Sequence, residues 1–153
     1  LRTLRPAIAD TALVGLPRRV AHYDAKAANL LVGETVVVVD LDTVMPGSVL
    51  WDVGDMVRSS TGTAVESMTG VSFDVERYHA LIDGWLSEVG NLLTEDERGA
   101  IPKAGPVVTF EQAVRFLTDH LEGDVYFRVT RPGENLDRAR NQLDLLRSMV
   151  STP

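Results

Sequence analysis

The segment HYDAKAANLLVGETVVVVDLD, residues 22–42, sets Asp24, Asn29 and Asp40 at intervals of five and eleven positions. Phosphoryl transfer asks little covalent work of a protein. It needs a hydroxyl nucleophile held in line and the charge on the phosphates neutralised. Asp24 is the candidate general base or hydroxyl-orienting group. Lys26, two residues on, is a candidate point charge toward a phosphate. Asn29 offers a neutral carbonyl oxygen and Asp40 a carboxylate. Both are hard donors of the kind Mg²⁺ takes while keeping several waters. A lone His is more often structural than catalytic, so His22 is expected to pack or hydrogen-bond beneath the loop. Asp and Asn are also ordinary turn residues. The accompanying Lys, and a hairpin that ends in Asp, favour a site over solvated turns.

The elements that must hold these groups follow from the flanking pattern. A short helix or irregular lead-in is expected over residues 1–19 and a loop over 20–29. Asn29–Val32 and Thr35–Val39 read as strands joined at Gly33-Glu34, and the run of valines favours a buried strand. Such a hairpin would hold Asn29 and Asp40 at neighbouring strand ends. A loop over 42–48 turns at Pro46-Gly47. A helix over 49–60 carries Leu50, Val53, Met56 and Val57 at helical spacing. Ser72 or Asp74 caps a long helix to Leu93. Thr94-Glu95-Asp96-Glu97 opens another with a capping box, which Pro102 and Pro106 should kink or break. A further helix covers roughly 108–121, with Gly123 at its left-handed end. Residues 124–133 are extended or looped. Asn135–Val150 is a last amphipathic helix, with Leu136, Leu143, Leu146 and Val150 as its stripe. The class is α+β, mostly helical.

Bulk properties narrow the function. The chain has 153 residues, 44% hydrophobic and 24% charged, enough for one domain with a real core. The net charge of −7 and the lack of a basic stripe argue against nucleic acid as a partner. With no cysteine there is neither a disulfide framework nor a thiolate metal site, and cytoplasmic is the default location. No apolar run reaches the roughly 18–20 residues of a membrane helix, so no membrane partner is expected. The chain opens on Leu1 rather than Met and reads as a fragment or a processed chain.

Three stretches carry a resemblance: HYDAKAANLLV, VVVVDLDTVMPGSVLWDVGDMVRS and LEGDVYFRVTRPGENLDRARNQLDLL. They are similar to the C-terminal lobe of the aminoglycoside phosphotransferase and choline kinase superfamily. The resemblance is strongest to the N-acetylhexosamine 1-kinase group, through DLDTVMPG. It covers residues 20–60 closely and 110–147 loosely. It implies a protein-kinase-like fold that moves the γ-phosphate of ATP to a hydroxyl of a small molecule, a sugar in particular. It further implies Asp24 as the catalytic Asp and Asn29 and Asp40 as Mg²⁺ ligands. Asp40 takes the place of the Asp of a DFG triplet, though DLD lacks its Phe and Gly. Asp52 resembles the buried Asp that orders the catalytic loop.

Candidate acceptor-side residues are Asp42, Thr43 and Met45 beside Asp40, and Asp124, Tyr126 and Arg128. The last three share a face if their segment is extended. Asp55 and Arg58 lie three apart on one helix, which suits an ion pair as well as substrate contact. Arg138 and Arg140 are surface charges by default, and Trp51 and Trp85 core residues. Neither a G-x-G-x-x-G run nor a V-A-I-K-like strand precedes His22. The chain therefore reads as residues 1–153 of a single catalytic lobe whose nucleotide-binding N-terminal lobe is missing. Such a piece is expected to be inactive alone and to need that lobe or self-association. A non-catalytic binding module, or an aminoglycoside or amino-alcohol acceptor, are the alternatives.

Overall fold

The computed structural model describes Leu13 and residues 15–152, so most of the lead-in expected over 1–19 lies outside the described residues. Among the described residues, four short strands precede four helices: β1 Arg19–Ala21, β2 Leu30–Val32, β3 Val36–Val38, β4 Met45–Gly47, α1 Leu50–Ser60, α2 Val75–Val89, α3 Glu95–Leu121 and α4 Glu134–Ser151. Strands and helices are segregated, as expected for a mostly helical α+β lobe.

The strands form two separate antiparallel pairs, β1 with β4 and β2 with β3. Two expectations are corrected here. Residues 19–21 and 45–47 are not loops. Val20 pairs with Pro46, and Ala21 with Met45, which clamps the two ends of the 22–42 segment together. The β2–β3 hairpin is not buried either: Val32, Val36 and Val38 are at least half exposed. β-Branching sets the extended backbone, but burial needs a second layer, and no described helix covers these strands. The turn is also one residue longer than expected, running from Gly33 to Thr35.

The core lies where α1, α3 and α4 meet. Leu50, Val53 and Val57 of α1 pack with Ile101 and Ala104 of α3 and with Leu145 and Met149 of α4. Glycine decides how closely α1 and α3 approach. A Cβ on Gly54 would stand 2.5 Å from the Ala104 carbonyl oxygen, and one on Gly105 would stand 2.6 Å from Val57 Cγ1. The two backbones therefore meet through glycines on both sides.

This packing also overrides the two prolines. Pro102 and Pro106 sit inside one unbroken 27-residue helix, so the two helices expected over 95–121 are one. Each proline removes a backbone hydrogen bond at a cost of about 3 kcal/mol. The stretch between and after them (Ala104, Gly105, Val108 and Thr109) is buried. The capping box expected at Thr94 and Glu97 forms and fixes the start.

The remaining helices shift in detail. Asp74, not Ser72, caps α2 by accepting from the Arg77 N–H. The helix ends at Val89 and a 3₁₀ turn covers Gly90–Leu92, which leaves Leu92 exposed. In α4 the buried apolar line is Ala139, Leu145, Leu146 and Met149; Val150 is exposed. Of the expected stripe Leu146 is fully buried and Leu136 and Leu143 are half-buried; buried polar residues, Asn135, Asn141 and Gln142, share the inner face. Among the described residues no helix is long and apolar enough to cross a membrane.

Candidate active site

The loop between β1 and β2 is shaped from outside. Asp52, in the first turn of α1, accepts the backbone N–H of His22 through Oδ2 and that of Tyr23 through Oδ1, each at 2.7 Å. Tyr23 is held at φ 63°, a left-handed conformation that costs a bulky side chain of order 1–3 kcal/mol. Its ring lies over Gly47 of β4, where a Cβ would overlap the phenol. His22 Nε2 faces the Val39 carbonyl at 3.1 Å, and the His22 carbonyl accepts Thr43 Oγ1 at 2.6 Å. His22 thus ties the Asp24 loop to both sides of Asp40.

Within the loop, Lys26 Nζ reaches Asp24 Oδ2 at 2.5 Å. Asn29 Nδ2 donates to the same oxygen at 2.9 Å and to the Asp24 carbonyl at 2.8 Å. Both amide hydrogens of Asn29 are committed to Asp24. That fixes the amide orientation and leaves its Oδ1 without a donor among the described residues. The hairpin register then brings Asp40 alongside: Leu30 pairs with Val38, and the Val39 N–H donates to the Asn29 carbonyl at 3.0 Å. Asp40 is also left-handed, φ 63°, and exposed, and no described residue donates to its carboxylate. The free oxygens are therefore a neutral amide and a carboxylate, both hard. Among the described residues no group of three or more His, Cys, Asp or Glu could hold a metal. Two protein ligands, the rest water and phosphate oxygens, is the donor set that suits Mg²⁺.

Asp24, Lys26, Asp40 and Thr43 open into a cleft of about 770 Å³ whose far wall is formed by α3, the loop after it and α4. Tyr126 and Arg128 line that wall, joined by Arg115, Phe127 and Arg138. The Arg115 guanidinium lies 5.8 Å from the Tyr126 ring centre and 5.4 Å from that of Phe127. Three expected acceptor-side residues, Asp42, Met45 and Asp124, do not line the cleft, and neither does Asn29. Asp42 is exposed on the 3₁₀ turn Leu41–Thr43, outside the lining. Asp124 accepts from Asn135 Nδ2 at 2.9 Å instead. Residues 124–130 form a loop rather than a strand, so Asp124 does not share a face with Tyr126 and Arg128.

Arg58 does line the cleft, but its guanidinium is occupied. It is bonded to Asp55 and to Glu66, each at 2.8 Å, and is almost wholly buried. Asp55 and Arg58 thus form a structural ion pair in the cleft wall. Met45 is taken up by β4. Trp51 packs against the core and also borders the cleft, and Trp85 packs against the core. Arg140 is paired with Asp137 on the surface. Arg138 binds Glu134, Asn135 and the Arg128 carbonyl, so it belongs to the wall rather than to the open surface.

A family model described as the phosphotransferase enzyme family matches residues 1–90, more than half of the chain. This chain belongs to that family. In this phosphotransferase the matched span holds the Asp24 loop, the hairpin, Asp40 and α1. The far wall of the cleft, on α3, the following loop and α4, lies beyond it.

Several residues of the site carry little sequence signal. Arg115 lines the cleft from α3, and nothing in the helical pattern distinguishes it from a solvated surface arginine. Ser59 accepts the Ala27 N–H at 2.9 Å and so anchors the loop to α1, but nothing distinguishes it from any helical serine. Asp119 does carry a signal. A carboxylate in the last turn of a helix faces the negative end of the dipole, which calls for another use of that charge.

Proposed function

We propose that this chain is the acceptor- and metal-binding side of a small-molecule kinase that moves the γ-phosphate of ATP to a hydroxyl group. The observation that carries this reading is Asp24. Its Oδ2 is held by Lys26 and Asn29, Asp24 and Asp40 both line the cleft, and Asn29, buried and bonded to Asp24, keeps its Oδ1 without a donor among the described residues. Asn29 and Asp40 would hold Mg²⁺, which neutralises the phosphate charge when bound. Asp24 accepts the hydrogen bond of the acceptor hydroxyl and so points its oxygen at the γ-phosphorus. As the new O–P bond forms, the bond from that phosphorus to the β–γ bridging oxygen breaks. ADP leaves, and the hydroxyl proton passes to Asp24. Lys26 fixes the Asp24 rotamer and adds positive charge at the transferring group.

A sugar is the acceptor class we favour, an N-acetylhexosamine in particular. The DLDTVMPG segment supports it. So does the far wall, where aromatic faces and guanidinium donors stand together, a surface that suits a hydroxyl-rich ring. An aminoglycoside is the alternative acceptor: the cleft lining carries Asp24, Asp40 and Glu111 as well as Arg115 and Arg128, so charge does not separate a sugar from a polycation. The nucleotide-covering elements would come from polypeptide outside residues 1–153. The exposed apolar hairpin beside Asp40 supports that view.

The test is ADP release by the full protein with N-acetylglucosamine, with and without Asp24→Asn. Turnover should fall by about 10²–10⁴-fold in the variant, the range for loss of a positioned proton acceptor. Undiminished turnover would remove Asp24 from the mechanism. Turnover with kanamycin but with no sugar would replace the acceptor class.

A further inference from the structure

The far wall of the cleft stands on a loop with no strand or helix of its own. Residues 124–130 run between α3 and α4, and their backbone N–H groups have no ladder to satisfy them. One side chain takes that place. Asp119, in the last turn of α3 and almost wholly buried, accepts the N–H of Val125 at 3.0 Å and that of Tyr126 at 2.7 Å through Oδ1. Through Oδ2 it accepts the Phe127 N–H at 2.9 Å and Asn135 Nδ2 at 2.8 Å. The Asp124 N–H closes the turn onto the Asp119 carbonyl at 2.8 Å, and Asp124 enters it at φ 59°.

The clasp sets side chains as well as backbone. With the amides of 125–127 fixed, Phe127 packs at a tilt against Phe116 at 4.6 Å between ring centres, and Tyr126 and Phe127 both lie near Arg115. The Arg128 carbonyl is taken by Arg138 Nη1 at 3.1 Å, which leaves the Arg128 side chain lining the cleft. We infer that Asp119 is the positioning residue of the acceptor wall: its carboxylate fixes residues 125–127 and so decides where Tyr126 and Arg128 stand. It does not line the cleft itself.

A carboxylate is needed for this. Its two oxygens offer about four acceptor sites and here receive four donors, whereas an amide keeps one oxygen and turns an NH₂ toward an N–H. Burial works against ionisation of Asp119, but the three backbone N–H groups overcome it and hold its carboxyl below the usual range.

The inference rests on the cleft being the acceptor site, and two readouts separate the two ideas. In the full protein, Asp119→Asn should raise KM for N-acetylglucosamine about tenfold, as expected for losing one or two well-made hydrogen bonds. KM for ATP should stay within about twofold. Trypsin should cut after Arg128 about tenfold faster, because the loop opens more often. Asp124→Ala removes the bond from Asn135 and the contact with His120 at the left-handed entry to the loop. It should move both readouts in the same direction by a smaller factor, and it serves where Asp119→Asn does not fold. Unchanged cleavage after Arg128 in both variants overturns the inference, as does an equal rise in both KM values. If the wild-type protein phosphorylates no sugar, the proposed function fails, and the cleavage rate alone decides whether Asp119 holds the loop.

Discussion

At the scale of the residue, the site is built by side chains that hold other groups rather than by the groups that would react. Asp52 is the clearest case. It satisfies two adjacent N–H groups, and those bonds keep Tyr23 in its left-handed conformation next to Asp24. Asp52→Asn leaves a single acceptor oxygen and sets an NH₂ against one of the two N–H groups. The expected cost is about 2 kcal/mol of stability, read as a lower midpoint in urea. Release of Tyr23 should also cut turnover more than it changes the KM for ATP. Equal stability of the variant and the parent would mean that other contacts shape the loop. The roles proposed for Asp24, Lys26, Asn29 and Asp40 rest on type and spacing, because a metal-assisted phosphate site fixes which oxygens it needs. The partners that orient them lie tens of residues away, as Asp52 does, and only its resemblance to an ordering Asp marked it.

Between elements, two junctions hold the lobe together. The first is the α1–α3 crossing. Gly54→Ala would drive a methyl group to 2.5 Å from the Ala104 carbonyl oxygen, and backbone cannot swing aside as a side chain can. A loss of about 2–3 kcal/mol is expected in a denaturant melt, the usual range for overpacking. Gly84→Ala, on α2 with open space around it, serves as the control and should not destabilise. The second junction joins β1 to the start of α3. Arg19 Nε and Nη2 meet the two carboxylate oxygens of Glu97 at 2.7 and 2.9 Å, and Glu97 also closes the capping box. The bidentate bond from Arg19, helped by Thr94, lowers the Glu97 carboxyl from 4.5 to about 2 despite its burial. A depressed folded-state value places the stabilisation above the unfolded pKa. It is complete above pH 4.5 and is lost as pH falls from there toward 2. The melting temperature of the parent should therefore drop more steeply over that window than that of Glu97→Gln. Parallel curves would show that the pair contributes nothing specific to acid stability. The capping box was readable in the sequence. The Arg19 partner was not, because 78 positions separate it from Glu97.

For the molecule as a whole, the hairpin next to Asp40 presents a band of exposed apolar side chains, with Val32 at 80% and Val36 at 63% exposure. Contiguous apolar surface of this kind marks a binding or docking surface. The described residues supply a cleft lined by Asp24, Lys26 and Asp40, but a nucleotide site normally encloses most of its ligand. The 153-residue chain should therefore bind Mg²⁺-ATP more weakly than about 100 µM in calorimetry, where an enclosed site would bind in the micromolar range. Micromolar binding by this chain alone would show that it encloses the nucleotide without further polypeptide.

The sequence by itself determined most of the element types and placed the residues on which the proposed chemistry rests. Three oxygen-bearing residues at fixed intervals, a capping box and helical spacing are local properties, and local geometry is what a short stretch of chain encodes. Tertiary structure decided three other things. It decided that the valine strands stay exposed, because no second layer meets them. It decided that α3 survives two prolines, because glycines let α1 pack against its backbone. It also decided that Asp42 and Asp124 turn away from the cleft while Arg115 and Arg138 enter it. Each of these depends on which surfaces meet across many residues of sequence, and no pattern within one element contains that information.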